Sequence, residues 1–364
     1  MNVTNDGSGG VRDARTPGLD APAWWIYRGT GRPLSDIDLG ELLPEPPPWR
    51  RFDGGPLPDS DVPPSDDGDA ERRLGSEVHL VEGDVNPIEL DMVNASLLLR
   101  RPLLVTGRPG VGKSALAYRI ARELRLGRVL RWAITSHTTL ASGLYRYDAI
   151  GRVQAAATRN AAQQVEVSDE PPIGEFIRLG PLGTAFLPRR LPRVLLIDEL
   201  DKSEADLPND LLGIFEDGDF PIPELARALV GANEVSVHTD DPRGRATVVD
   251  GRVECRAFPV VVITSNGERE FPPAFLRRCL RLDIPDPNVD QLAAMVANHS
   301  LDANGEHRAR LIEEFMARRA EADGLPVDRL LEALHLATSG AYREDDPAWP
   351  RLLDALWRRL SVAP

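Results

Sequence analysis

The sequence predicts an α/β core built on a parallel β-sheet, followed by a small domain that contains only α-helices. Short and almost continuous apolar runs predict strands that are buried on both faces, as in a parallel sheet covered by helices. Up to about residue 285 these runs alternate with amphipathic segments, which is the order expected of a doubly wound sheet. In residues 286–364 the apolar positions recur only at helical spacing, so this part is predicted to be all-α.

The core elements follow one another in chain order. The first strand is predicted over residues 101–107, where the apolar run RPLLVTG ends in a glycine. A helix follows over residues 114–125, because SALAYRIARELR carries apolar positions at helical spacing. Three further strands are predicted by the runs RVLRWAIT, RVLLID and FPVVVITSN.

Two later regions complete the expected architecture. Residues 231–257 predict a β-hairpin, because two alternating runs flank a group of turn-forming aspartate, proline and glycine residues. The last domain should hold helices in HRARLIEEFMARRAEA, VDRLLEALHLATS and WPRLLDALWRRL, each of which carries an apolar stripe. We therefore expect a core domain of residues 76–285 and a helical domain of residues 286–364.

Residues 1–75 are not expected to form a domain. Their richness in proline, glycine and aspartate predicts an arm that is largely extended or disordered, because such residues resist collapse. One island differs, since Trp24, Trp25, Ile26 and Tyr27 stand together. This aromatic island either docks onto a partner protein or packs as a strap on the chain's own core, and the sequence leaves both open.

Composition narrows the class of protein. The formal net charge of -14 argues against a broad nucleic-acid surface, so nucleic acid is not an expected partner. The two cysteines, Cys255 and Cys279, fall in no metal-ligand pattern. No apolar run is long enough to cross a membrane, and the N-terminus lacks the build of a signal peptide, so we expect a cytoplasmic protein without membrane contact.

The segment GRPGVGKS, residues 107–114, predicts a phosphate-binding loop, because it matches G-x-x-x-x-G-K-[ST] between a predicted strand and a predicted helix. Glycines let backbone N–H groups surround phosphate oxygens, and the helix N-terminus adds partial positive charge. Lys113 is expected to reach the β- and γ-phosphates and Ser114 to hold Mg²⁺. The expected contacts with a nucleotide come from Gly107, Arg108, Pro109, Gly110, Val111, Gly112, Lys113, Ser114 and Ala115.

Two other strand ends carry polar residues. Asp198 ends the run VLLID and is suited to bind Mg²⁺ through its water shell, while Glu199 is suited to orient an attacking water. The alternative for this pair is an acidic helix start. Asn266 ends the run VVVITSN and could bond a γ-phosphate or that water, or it could simply begin a turn.

An arginine pair, Arg277 and Arg278, stands in FPPAFLRRCLRLDIP just before a short apolar run that predicts a buried strand. Its target could be nucleic acid, a surface carboxylate or a strongly anionic group. An arginine guanidinium suits a phosphate, because it holds a fixed fork of donors and a permanent charge.

Taken together, the order GRPGVGKS, LLIDELDKS, ITSN and FLRRC, followed by a helical domain, resembles the AAA+ ATPases. More narrowly, PRVLLIDELDKSEADLPNDLLGIFEDGDFPIPEL and FPPAFLRRCLR resemble the MoxR group. ITSHTTLASGLYRYDAIGR and RLGPLGTAFLP resemble its branch that accompanies von Willebrand factor A-type partner proteins. The resemblance covers roughly residues 76–340 and leaves the aromatic arm unexplained.

The resemblance implies a role for each matching residue. Asp198 and Glu199 correspond to the Walker B pair, with Glu199 as the catalytic carboxylate, and Asn266 corresponds to sensor 1. Arg278, with Arg277 beside it, corresponds to the arginine finger that faces the nucleotide of a neighbouring subunit. For sensor 2 the nearest candidate is Arg329, although the chain departs from the usual lid motif there and a solvated helix residue is an equal alternative.

The function implied is a Mg²⁺-dependent ATP hydrolase that forms a homo-oligomeric ring, expected to be a hexamer, in which the helical domain is a lid that moves against the core. Such a ring would remodel or activate a partner protein, expected to be of the von Willebrand factor A type. A nucleotide-gated switch or scaffold with little turnover is the main alternative. A nucleic-acid motor or loader is a further alternative that the charge disfavours.

Overall fold

A computed structural model provides the structure of the chain. It describes residues 22, 24–34, 38–58, 62, 64–66, 68–75, 86–161, 171–228, 233–298, 305–321, 325–339 and 346–357.

The central sheet has five strands, all parallel, and it places the ends of the predicted motifs at one edge. In chain order the strands are β1 (Leu103–Thr106), β2 (Leu130–Ala133), β5 (Val194–Asp198), β10 (Val260–Ser265) and β11 (Leu280–Asp283). Their order in the sheet is β11-β1-β10-β5-β2. The carboxyl ends of β1, β5 and β10 therefore lie side by side, and the predicted parallel sheet is confirmed.

A second, six-stranded sheet occupies the regions that lengthen the core. Its strands are β3 (Tyr145–Tyr147), β4 (Ile177–Leu179), β6 (Asp219–Pro221), β7 (Glu234–His238), β8 (Arg245–Val249) and β9 (Arg252–Glu254), in the order β3-β4-β7-β8-β9-β6. Strands β7 and β8 pair antiparallel, which confirms the predicted hairpin.

Helices surround the central sheet and form the C-terminal part. Those up to residue 278 are α1 (Leu39–Leu42), α2 (Asp69–Leu74), α3 (Pro87–Leu99), α4 (Ala115–Glu123), α5 (Leu140–Leu144), α6 (Ala149–Ala161), α7 (Pro181–Ala185), α8 (Leu207–Asp217), α9 (Pro223–Ala228) and α10 (Pro273–Arg278). The C-terminal helices are α11 (Val289–Asn298), α12 (Gly305–Glu321), α13 (Val327–Thr338) and α14 (Trp349–Leu356). Short 3₁₀ turns occur at Pro48–Arg50, Ile173–Phe176 and Leu200–Lys202.

The central strands are buried on both faces, which is why their sequences are almost uninterrupted apolar runs. Along β5, Leu195 packs in the cluster on one face of the sheet and Leu196 in the cluster on the other. The C-terminal helices have a hydrophobic cluster of their own, in which Phe315 meets Trp357 edge to face at 5.7 Å between ring centres. A separate apolar core of this kind is what a small helical lid requires.

The prediction of a largely disordered arm is wrong for residues 24–34, which pack on the core as a strap, and for residues 38–58 and 68–75, which contain α1, α2 and a 3₁₀ turn. Tyr27 is fully buried and Ile26 nearly so, in the cluster that includes residues of α3 and α4. Asn94 of α3 accepts hydrogen bonds from the backbone N–H groups of both residues, at 2.7 and 2.9 Å. The cause is the apolar area of the aromatic island, which is large enough to offset the cost of ordering a proline-rich chain. Residues 1–21 lie outside the described part of the chain.

Both cysteines are buried and unpaired with each other. Burial raises the pKa of the Cys255 thiol to about 12, and it does the same for the Cys279 thiol. Among the described residues, no helix combines the length and the apolar character needed to cross a membrane.

Candidate functional site

The predicted phosphate-binding loop joins β1 to α4, and its backbone takes shapes that only glycine adopts readily. Gly107 and Gly112 have φ angles of 145° and 90°. A side chain at Gly107 would also place its Cβ 2.6 Å from the carbonyl oxygen of Ile284. These glycines therefore give the loop both its curvature and its close approach to the segment after β11.

The Lys113 side chain is held inside this loop and linked to the end of β10. Its Nζ donates to the carbonyl oxygens of Gly107 and Arg108, at 2.7 and 2.8 Å, and to Asn266 Oδ1 at 2.7 Å. Burial lowers the pKa of this ammonium, against the opposing effect of nearby carboxylates, of which Asp201 is the strongest. The lysine and Asn266, predicted from separate motifs, thus meet at one point.

Asp198 at the end of β5 is the best-connected carboxylate of the site. Its Oδ1 accepts from Ser114 Oγ at 2.7 Å and from Thr264 Oγ1 at 2.9 Å. Its Oδ2 accepts two bonds from Arg131, from Nε at 3.0 Å and Nη2 at 2.7 Å. Burial alone would raise the pKa of Asp198, but these hydrogen bonds hold the pKa below its ordinary value.

The pairing of Ser114 with Asp198 fits a magnesium site. A hydroxyl and an ionised carboxylate, 2.7 Å apart at the loop that would hold phosphates, are oxygen ligands of the kind that Mg²⁺ takes beside a nucleotide. The ligand types suit Mg²⁺, and the role of these two residues as magnesium ligands stays a prediction.

Glu199 has a strained backbone. Its φ and ψ of 63° and 51° lie in the left-handed region, which non-glycine residues seldom adopt. Its backbone N–H donates to Thr264 Oγ1 at 2.8 Å, while Lys202 Nζ lies 2.7 Å from its Oε2. Strain of about 1–3 kcal/mol per residue recurs at functional sites. Glu199 is also the residue that precedes the 3₁₀ turn of Leu200–Lys202, so the catalytic role and the acidic helix start are both still open.

Asp201, which no predicted motif role included, anchors the backbone after β10. The residue is 3% exposed, and its Oδ2 accepts from the N–H groups of Asn266 at 2.8 Å and Glu268 at 3.1 Å. Asp201, which follows the neighbouring strand β5, therefore fixes the position of Asn266 at the end of β10. The only available signal was its place three residues after Asp198.

A cleft of about 420 Å³ opens at this edge of the sheet. It lies between the phosphate-binding loop, the end of β10 and the segment after β11, and its lining includes Thr106, Gly107, Arg108, Pro109, Asn266, Gly267, Asp283, Ile284, Pro285 and Asp286. Asp286 also connects the loop to the lid, because it accepts from Arg108 at 3.2 Å and from the buried Arg319 of α12 at 2.6 Å. Of the other predicted loop residues, Val111 is buried and Ala115 is the half-buried first residue of α4.

The arginine pair does not line the cleft of its own chain. Both residues are in the last turn of α10, where Arg278 forms an ion pair with Glu216 of α8. Arg277 is exposed, and its carbonyl oxygen accepts from Arg101. The surface-carboxylate alternative thus describes Arg278 within one chain, and a role toward a second subunit stays a prediction.

Arg329 is likewise outside the lining of the cleft. Its guanidinium bonds Glu332 of the same helix at 3.0 Å. The start of that helix is nevertheless close to the loop, because a Cβ added to Gly110 would lie 2.6 Å from Pro326 Cβ. The lid therefore touches the phosphate-binding loop through Pro326, while the part of Arg329 as sensor 2 remains untested.

Comparison with known families covers the segment that carries this site. Residues 102–279 match the family model described as AAA domain (dynein-related subfamily). This segment has the fold of an AAA domain. The match takes in β1, β2, β5 and β10 of the central sheet together with the loop, Asp198, Glu199 and Asn266, and it ends at Cys279.

Comparisons beyond the family model are distant. No curated protein sequence matches the chain. Among solved structures, NtrX from Brucella abortus in complex with ADP is similar at 13% identity and a TM-score of 0.37, over 77% of this chain and 55% of that one. The ATP complex of the same protein gives 13% identity and a TM-score of 0.37, over 76% of this chain and 55% of that one. The chain thus spans about half the length of these NtrX chains.

Proposed function

We propose that the protein is a MoxR-like AAA+ ATPase, which binds ATP with Mg²⁺ and hydrolyses it. The observation that carries this proposal is a pair of hydrogen bonds at one edge of the sheet, where Lys113 donates to Asn266 and Ser114 donates to Asp198. The four groups come from three separate motifs, since Lys113 and Ser114 share the phosphate-binding loop, and a parallel sheet with this strand order brings the three motifs together.

Each side chain then has a task in hydrolysis. Lys113 would exchange its bonds to the loop carbonyls for phosphate oxygens, and Ser114 and Asp198 would hold Mg²⁺, which would neutralise charge on the phosphates. Glu199 orients the attacking water and takes up its proton. Asn266, anchored by Asp201, provides a neutral hydrogen bond beside the γ-phosphate.

Two variants test this function. Glu199→Gln keeps the shape of the side chain but removes the carboxylate, so it should bind ATP with near wild-type affinity and lose at least about 10²-fold in turnover. Lys113→Ala should lose ATP affinity itself, because it removes the main cation facing the β- and γ-phosphates. Titration calorimetry and steady-state phosphate release measure the two effects. Normal ATP affinity in Lys113→Ala would contradict the assignment of the loop, and normal turnover in Glu199→Gln would contradict the role of that carboxylate.

The proposed assembly is a homo-oligomeric ring, a hexamer by the AAA+ resemblance, in which Arg278 leaves Glu216 and faces the nucleotide of the next subunit. The ion pair of Arg278 with Glu216 lies at the surface at the end of α10. This position supports the proposal, because an exposed ion pair stabilises a fold little and is easily exchanged. Arg277 would lie beside it.

Mixing two inactive variants tests the shared site. Lys113→Ala subunits keep Arg278 but cannot hold ATP, whereas Arg278→Ala subunits bind ATP but lack the arginine. If subunit exchange is verified, mixed rings should recover part of the ATPase activity. Zero recovery, or normal turnover by Arg278→Ala alone, would exclude a site completed by Arg278 of another subunit.

The proposed partner protein follows from sequence resemblance and not from a contact in the structure. The dynein-related subfamily includes the MoxR group, and within that group the sequence resembles the branch that acts with von Willebrand factor A-type proteins. We therefore expect residues 76–285 and 286–364 to work as ATPase core and lid on such a partner in the cytoplasm. A purified von Willebrand factor A-type candidate should raise steady-state turnover, and no effect on turnover or binding would remove it as the partner.

A further inference from the structure

The unusual feature of the site is an ion pair in which Arg131 donates two hydrogen bonds to Asp198. Both Nε and Nη2 of Arg131 bond the same oxygen, Oδ2, at 3.0 and 2.7 Å. Arg131 comes from β2, the edge strand beside β5, and no motif in the sequence marked it. A permanent positive charge therefore lies directly on the carboxylate that is assigned to Mg²⁺.

This arginine is not needed to orient Asp198. The other oxygen, Oδ1, already accepts from the hydroxyls of Ser114 and Thr264, and the residue itself ends a fully buried strand. The Arg131 side chain is 42% exposed, whereas that of Asp198 is 8% exposed. An exposed guanidinium adds little stability to the fold, so its main effect is on the charge available to a metal.

We propose that Arg131 weakens Mg²⁺ binding at Ser114 and Asp198, so that the metal is held only together with a nucleotide and leaves with it. The proposal rests on the function inferred above. A dication near Oδ2 is repelled by the guanidinium and finds that oxygen already bonded twice. Phosphate oxygens then have to provide the attraction that Asp198 alone does not.

The test compares nucleotide affinity with and without the metal. Calorimetry gives the Kd of a non-hydrolysable ATP analogue in saturating Mg²⁺ and in EDTA, and their ratio is the magnesium enhancement. Arg131→Gln should raise this ratio by about fivefold, because one partly solvated charge is removed. Arg131→Lys, which keeps the charge, should stay within about twofold of wild type.

Arg252→Gln is the matched control. Arg252 also bonds one carboxylate oxygen through Nε and Nη2, that of Asp219, but in the second sheet and away from the phosphate-binding loop. Its magnesium enhancement should equal that of wild type. Urea unfolding of each ligand-free variant checks that the fold is kept.

Three results of the calorimetry would overturn the proposal. An enhancement that is unchanged or smaller in Arg131→Gln would overturn the proposal, since Arg131 would then be neutral or would help Asp198 to hold the metal. An equal rise in Arg252→Gln would overturn it as well, because the effect would be one of net charge. If the wild type bound no analogue in either buffer, the proposed ATPase function would fail, and the role of Arg131 would fail with it.

Discussion

Asp201 shows how one buried carboxylate can position a neighbouring loop. It accepts two backbone N–H groups beyond β10 and so holds Asn266 where Lys113 meets it. A hydrogen bond to a charged acceptor contributes about 1.5–3 kcal/mol to stability. The residue therefore links the stability of the site to its geometry.

Asp201→Ala should lower turnover much more than ATP affinity, because the loop that carries Asn266 loses its anchor while the phosphate-binding loop is intact. We also expect a loss of about 2–4 kcal/mol in the free energy of unfolding, since two hydrogen bonds to the buried carboxylate are lost. Asp201→Asn keeps an amide oxygen that can accept, so it is the milder control. Phosphate release and urea unfolding check both effects, and wild-type turnover in Asp201→Ala would show that Asn266 needs no anchor.

The site residues that the sequence predicted lie in local motifs, whereas those that it missed depend on which strands are neighbours in the sheet. Lys113, Ser114 and Asp198 belong to local patterns whose spacing follows from one strand and one loop, so a single segment identifies them. Arg131 and Thr264 matter because β2, β5 and β10 are neighbours in the sheet. Nothing local to β2 or β10 reveals that neighbourhood, which is a property of tertiary packing.

The strap over residues 24–34 depends on two acceptors in the helices beneath it. Asn94 of α3 binds the backbone at Ile26 and Tyr27. Glu123, at the end of α4, is fully buried and accepts from Gly31 N at 2.9 Å. The composition of the arm predicted poor packing, whereas its aromatic island and these two polar partners decide the outcome. Strands and helices of the core could be predicted because periodicity repeats along them, and a strap has no period.

A truncation that removes residues 1–34 should destabilise the protein, because Tyr27 and Ile26 leave apolar cavities and Glu123 and Asn94 lose buried partners. We expect a fall in melting temperature of more than about 5 °C. A truncation of residues 1–21 alone keeps all these contacts and is the control. Differential scanning calorimetry of both makes the comparison, and equal melting temperatures would mean that the strap contributes nothing to stability.

The core is held together by a buried ion pair as well as by apolar packing. Arg193 and Asp241 are 2% and 4% exposed and bond each other twice, at 2.8 Å. This pair joins the start of β5 to the turn between β7 and β8, and thus joins the two sheets. Burial would raise the pKa of Asp241, but the bonds from Arg193 and the charge of Arg128 hold it below its ordinary value of 3.8.

The free energy of unfolding should therefore fall in acid as Asp241 becomes protonated. Above pH 3.8 the carboxylate is ionised in both states and the stabilisation is complete, whereas below pH 3.8 the unfolded chain takes up a proton that the folded chain resists. Asp241→Asn should be less stable than wild type by about 3–5 kcal/mol at pH 7, since Arg193 keeps its buried charge. Its unfolding free energy should also change less between pH 4 and pH 3. Urea unfolding at both pH values tests this, and parallel curves for the two proteins would contradict it.

The two buried cysteines make the chain convenient for site-directed labelling. Thiols with a pKa of about 12 are ionised in on the order of one molecule in 10⁵ at pH 7, and thiolate is the form that maleimides attack. Neither native cysteine then has to be replaced before a fluorophore is attached. Cysteines introduced at exposed positions, Gly213 in α8 and His335 in α13, would carry a donor and an acceptor on core and lid. Energy transfer between those dyes would follow the lid in the native chain through each stage of nucleotide turnover.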